Sequence, residues 1–223
     1  MFEPDAVRKL VARFDSPEIG GVVGNVVLRS PDGSLAGEGV YSRYEKAVHT
    51  AEAELATMIT VDGAMYALRR EFVCPIPADS ITDDWYLASG ALAAGKKLVW
   101  GPDAIGYEAA AESVAGEFRR KVRMIAGGYQ TMFRRAGVFL NPPGHPVIFF
   151  MFVSHKLFRW LAMPFMLLFL AANLALVGQS AWYAATALAQ GILYLLALCG
   201  WALQNKTNLL PLYLPYYFVA VNW

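Results

Sequence analysis

The chain has 223 residues, is 57% hydrophobic and carries a net charge of +1, with a mean hydropathy of +0.37. The averages hide a split: after Trp160 the only charged residue is Lys206, and the other 36 of the 37 charged side chains precede it, the pattern of a water-facing region followed by a lipid-facing one. Cys74 and Cys199 lie far apart and exclude a disulfide framework or a cysteine-spaced metal site; Met1-Phe2-Glu3-Pro4-Asp5 has neither the charged nor the apolar region of a secretory signal, and no nucleic-acid partner is expected.

Pro4 to Phe14 reads as a helix, with Pro4 suited to its first turn and Val7, Leu10, Val11 and Phe14 at helical spacing. Gly20 to Leu28, rich in valine, reads as a strand, and Ser30-Pro31-Asp32-Gly33-Ser34 as a turn. A long helix is predicted from Tyr41 to Ile59 and a second strand from Val61-Asp62-Gly63 to Leu68. Asp84 to Ala94 is a helix stopped by Gly95. Lys97 to Trp100 is a short strand ended by Gly101-Pro102, and Ser113 to Arg135 an amphipathic basic helix. Alternating strands and helices indicate an α/β fold.

Pro146 to Trp160 is too charged at His155, Lys156 and Arg159 to cross a bilayer, so it is expected to lie along the interface, with Trp160 as a belt residue. Leu161–Val177 and Ala181–Leu203 are predicted to cross, joined by the uncharged turn Gly178-Gln179-Ser180. The polar stretch Gln204 to Asn208 follows, and Leu209–Trp223 starts a further apolar run. Between Ala104 and Trp160 eight Lys/Arg face three Glu, which places this side in the cytoplasm. Arg134, Arg135, Lys156 and Arg159 read as anchors to anionic lipid.

Ser80-Ile81-Thr82-Asp83-Asp84-Trp85 carries the candidate chemistry. As local structure it is a helix N-terminus, capped by Ser80 or Thr82, with carboxylates that complement the helix dipole. As chemistry it is a general base projecting from rigid backbone, its pKa lifted by a neighbouring carboxylate. The two readings are compatible. Asp62-Gly63 is either a bend in a strand or backbone brought close to a ligand. A prenyl-diphosphate D-D-x-x-D motif is excluded, because Leu87 occupies its fifth position.

Four stretches taken in order, Val61-Asp62-Gly63-Ala64-Met65-Tyr66-Ala67-Leu68-Arg69-Arg70, Ile81-Thr82-Asp83-Asp84, Phe118-Arg119-Arg120-Lys121-Val122-Arg123 and Ser154-His155-Lys156-Leu157-Phe158-Arg159-Trp160, resemble the membrane-bound family 2 glycosyltransferases. These are inverting GT-A enzymes that include cellulose, hyaluronan and poly-N-acetylglucosamine synthases. The likeness covers nearly the whole chain and is closest to the bacterial exopolysaccharide and capsule branch, to which Tyr41-Ser42-Arg43-Tyr44-Glu45 is also similar. The resemblance implies Asp84 as the base for the acceptor hydroxyl, with Asp83 beside it and Thr82 and Trp85 flanking them in the substrate site. It places Asp62 and Gly63 in a loop near donor and acceptor. It sets Arg120 and Arg123 on the donor pyrophosphate, although Arg120 and Met124 stand where the Q-x-x-R-W motif of processive members has Gln and Trp.

The resemblance also implies a nucleotide-sugar donor, expected to be a UDP-sugar, and a glycan or lipid-linked acceptor at a bacterial inner membrane. A divalent metal, Mg or Mn, is implied for the complete enzyme, with its Asp-x-Asp ligands and the uridine site in a part preceding the equivalent of Met1. On this reading residues 1–135 are the C-terminal half of a GT-A domain, 136–160 an interfacial segment and 161–223 transmembrane helices (161–177, 181–203 and a partial 209–223). The chain by itself is then expected to be inactive. The alternative is a non-catalytic membrane remnant or partner subunit derived from such an enzyme; a transporter fits poorly, because the apolar helices hold no buried charge.

Overall fold

The computed structural model describes residues 1–29, 40–109, 114–203 and 209–222. The predicted turn at Ser30–Ser34, the residue Ser113 and the polar stretch 204–208 lie outside them. The chain divides into two units, Met1–Val153 and Ser154–Trp223.

The first unit opens with α1 (Ala6–Ala12), shorter at both ends than the predicted helix. Ala6 and Leu10 face the core, whereas Val7 and Val11 are exposed. β1 (Ile19–Arg29) is the centre of a three-stranded sheet, and its buried stretch, Gly20 to Gly24, explains the run of small and β-branched residues. After α2 (Val40–Leu55), β2 (Tyr66–Leu68) pairs antiparallel with β1, while β3 (Lys97–Ala109) pairs parallel with its other edge. Ala6, Leu10, Val22, Met65 and Ala104 form the core between α1 and the sheet.

Three expectations are corrected here. The long helix stops at Leu55 instead of Ile59, because Thr57 and Met58 turn to Leu98 of β3: Met58 N–H donates to Leu98 O (2.8 Å), and Leu98 N–H donates to Thr57 Oγ1 (2.8 Å). The strand expected from Val61 begins only at Tyr66. And Gly101-Pro102 does not end β3. The register jumps from Gly24↔Gly101 to Asn25↔Ile105, so Pro102, Asp103 and Ala104 bulge out and the missing proline donor is not needed by the ladder. Asn25 Nδ2 donates to Pro102 O (3.2 Å), and Arg13 pairs with Asp103, which fixes the bulge and lowers the Asp103 pKa.

α3 (Asp84–Ala93) ends as predicted at Gly95, the residue with φ +71°. Gly95 N–H donates to Leu92 O (3.0 Å) and Lys96 N–H to Ala91 O (2.9 Å), a Schellman cap that needs a left-handed residue at this position. α4 (Val114–Arg134) and the short α5 (Ala136–Phe139) follow. A helical run then comprises α6 (Pro146–Met151), a π-helical stretch Phe152–Leu157 and α7 (Phe158–Trp160).

In the second unit, α8 (Ala162–Leu176), α9 (Ala181–Leu203) and α10 (Leu210–Asn222) match the three apolar runs. The chain bends by 63° between Pro146–Trp160 and Ala162–Leu176. Among the described residues α9 alone is long and apolar enough to cross a membrane; the bent pair would make a second span if it is counted as one. Buried polar side chains link α8 to α9: Gln190 Nε2 donates to Met166 O (2.7 Å), and Thr186 Oγ1 to Asn173 Oδ1 (3.0 Å).

Candidate functional site

The site forms where the chain leaving β3's edge meets the start of α3. From Met58 it passes Ile59, whose carbonyl accepts the Trp85 indole N–H (2.7 Å), and reaches a tight turn at Asp62 to Met65. Met65 N–H donates to Asp62 O (3.1 Å), and Ala64 N–H to Asp62 Oδ1 (3.1 Å), closing the turn from the aspartate's backbone and side chain together. Met65, 1% exposed, is wedged against Gly24 and Gly106, where an added methyl would stand 2.7 Å and 2.8 Å from its side chain. Those two glycines thus dock the turn onto the sheet.

Docking the turn brings Gly63 onto Asp84. A methyl on Gly63 would lie 3.1 Å from Asp84 Cγ and closer still to Oδ2. Asp62-Gly63 lies in a turn ahead of β2 and not in a strand, and Gly63 is brought close to the Asp84 carboxylate. Gly63 has no positive φ, so space and not backbone freedom demands the glycine. Gly63→Ala is therefore expected to push the carboxylate aside with the fold intact. The Asp84 carboxyl titration followed by NMR, beside a circular dichroism spectrum, checks this, and an alanine variant with an unchanged titration would contradict the contact.

Asp83, not Ser80 or Thr82, is the N-cap of α3: its Oδ1 accepts from Asp84 N–H (3.1 Å). Asp84 occupies the first helical position, and its Oδ1 accepts from Trp85 N–H (2.7 Å), which leaves Oδ2 over Gly63. Burial raises the Asp84 pKa first, and the Asp83 and Asp62 charges add to it; the backbone N–H bonds oppose. Tyr66, half-buried, has its phenol pKa raised by burial and then by the charges of Asp84 and Asp83, so it stays a neutral hydroxyl beside the acids.

Trp85 and Thr82 face inward. Trp85 is 6% exposed and packs on Phe139 and Phe152, with ring centroids 4.9 Å and 6.1 Å away, so its indole anchors α3 in the core. Thr82 sits against α4, where a methyl on Gly127 would stand 2.5 Å from Thr82 Cγ2. On α4, Arg120 is half-buried with Nη1 3.7 Å from Glu108 Oε1, and Arg123 is exposed. Arg134 and Arg135 make contacts within the first unit. Arg134 pairs with Asp79 (2.6 Å) and Ser80; Arg135 donates to Cys74 Sγ (3.0 Å) and lies 4.3 Å over the Tyr86 ring.

The sequence profile of glycosyl transferase family group 2 matches residues 1–219. The chain belongs to that family. Among solved structures this family 2 member is similar to a mannosyltransferase, PcManGT from Pyrobaculum calidifontis, in complex with GDP-Man and Mn2+, with a TM-score of 0.63 at 20% identity. The match covers 98% of this chain and 57% of that one, so the family 2 chain spans little more than half its neighbour's length. At this identity the likeness establishes a shared fold. No curated protein matches. Among the described residues no three His, Cys, Asp or Glu side chains are grouped to hold a metal ion.

Proposed function

We propose that the chain carries the acceptor side of an inverting, GT-A-type glycosyltransferase of the membrane-bound exopolysaccharide branch, its cytoplasmic face holding the site. The observation that supports this is the Asp84 carboxylate, half-buried, pressed on Gly63 and raised in pKa between Asp83 and Asp62. The acceptor hydroxyl oxygen attacks the anomeric carbon of a nucleotide-diphospho-sugar as its proton passes to Asp84. The bond from that carbon to the diphosphate oxygen breaks, and the leaving group takes the electron pair. A raised pKa suits a base working near neutral pH. Arg123, with Arg120, supplies positive charge to the departing diphosphate, for which guanidinium geometry is well matched. Divalent-metal dependence is proposed for the whole protein, on ligands other than the residues described; the neighbour's Mn2+ favours it.

The test is transfer of label from a panel of UDP- and GDP-sugars, with Mn2+ or Mg2+, in membranes of cells expressing the native gene. Incorporation into polymer or lipid extract from at least one donor is expected. Incorporation from none would support the non-catalytic reading instead.

A further inference from the structure

We infer that Gln130 and Arg134, with Gly127, are positioning residues that hold the acid pair in register with the cationic turn of the same helix. The inference rests on the reading of Asp84 as the acceptor base. Arg120, Arg123, Gly127, Gln130 and Arg134 follow at intervals of three, four, three and four residues along α4, and so share one face.

The C-terminal three of these hold the segment that enters α3, residue by residue. Arg134 Nη2 donates to Asp79 Oδ2 (2.6 Å) and Nη1 to Ser80 Oγ (3.0 Å). The Gln130 carboxamide uses both ends: Oε1 accepts from Ile81 N–H (2.9 Å), and Nε2 donates to Asp79 O (3.0 Å). The bare backbone at Gly127 receives Thr82, whose Oγ1 is buried there without a partner. Four consecutive residues, Asp79 to Thr82, are thus held by α4, and Asp83 and Asp84 follow directly.

Stability does not account for this arrangement well. The Asp79 side chain is 74% exposed, and an ion pair so open to water contributes little to the folded state. What the contacts do is fix geometry. Arg123 lies one turn from Gly127, roughly 6 Å along the axis, so the helix that grips the base's loop also carries the charge meant for the leaving group. Transfer needs both held against one sugar at once.

The experiment compares Arg134→Gln and Gln130→Ala with wild type in the protein expressed from its native gene. The expected result is a fall in kcat for transfer of about 10- to 100-fold, the scale of an ångström-level misplacement. Donor KM is retained, and the ratio of donor hydrolysis by water to transfer rises, because the phosphate side stays in place. The charge exchange Asp79→Arg with Arg134→Asp is expected to recover part of the loss seen with Arg134→Asp alone. Wild-type kcat in both single variants overturns the inference, as does a loss that tracks lowered thermal stability and is unmoved by the exchange. Asp84→Asn separates the two claims. If it turns over normally, the base assignment fails; if it is inactive while Arg134→Gln and Gln130→Ala are normal, the positioning role alone fails.

Discussion

Replacing Asp84 by Asn is expected to lower kcat for sugar transfer by on the order of 10²–10⁴-fold, the usual contribution of a positioned general base. Donor affinity should be unchanged. The amide keeps the shape of the carboxylate, and its oxygen can still accept the Trp85 N–H. What it loses is the capacity to take the acceptor's proton. Stability should move the other way. Asp84's pKa in the folded protein is raised above its ordinary value of 3.8, mainly by burial. The unfolded chain therefore releases this proton first, and ionising Asp84 weakens the fold as pH rises from 3.8 through the raised value. Asp84→Asn removes that penalty, so the variant should melt higher than wild type at neutral pH, with the advantage vanishing below pH 3.8. A variant inactive at all pH and more stable only at neutral pH is a signature that a merely structural aspartate would not produce. Melting curves at several pH values, run beside kinetics and donor titrations, check both halves.

Trp85→Ala is the change expected to cost most in folding, about 3–5 kcal/mol for truncating a buried aromatic. The indole fills the space against Phe139 and Phe152 and donates to Ile59 O, so alanine opens a cavity and also orphans a buried carbonyl. Against a total stability of 5–15 kcal/mol for an ordinary domain, that is a large share. Trp85→Phe keeps most of the packing and loses the hydrogen bond, so it should cost about 1–3 kcal/mol. Denaturant midpoints and hydrogen exchange at Ile59 and α3 measure the difference. Equal midpoints for wild type and Trp85→Ala would show that the indole is not a core anchor. The variant also explains why a tryptophan beside the base need not touch substrate: it holds the first turn of α3, and with it Asp84, against the sheet.

Much of this was legible in the residues. The valine-rich strand, the helix stop at Gly95 and the three apolar runs after Trp160 follow from periodicity, a cap and hydropathy, which are local signals. Asp83-Asp84 stood out because two carboxylates at a helix start suit both the dipole and acid–base chemistry. The errors arose where tertiary contact overrides a local rule. Pro102 reads as the end of a strand, but the bulge held by Asn25 and Arg13 carries β3 past it. Ile59 reads as helix, but pairing of Thr57 and Met58 with Leu98 draws the chain out from residue 56 onward. The partners of Arg134, Asp79 and Ser80, lie more than fifty residues away in sequence, beyond any local pattern. One signal was available. The stripe of Arg120, Arg123, Gly127, Gln130 and Arg134 is polar or small at each position, a face of an amphipathic helix that suits polar partners. The approach of Gly63 to Asp84 could not be read at all, since it depends on how Met65 seats between Gly24 and Gly106.

The central claim is a single displacement at the anomeric carbon with Asp84 taking the acceptor's proton. Its most direct test is the anomeric configuration of the newly made linkage, read by proton NMR on product formed by the wild-type enzyme from an α-linked donor. A single displacement predicts a β-linked product, formed at a rate that collapses in Asp84→Asn. An α-linked product, or undiminished synthesis by the variant, would contradict it.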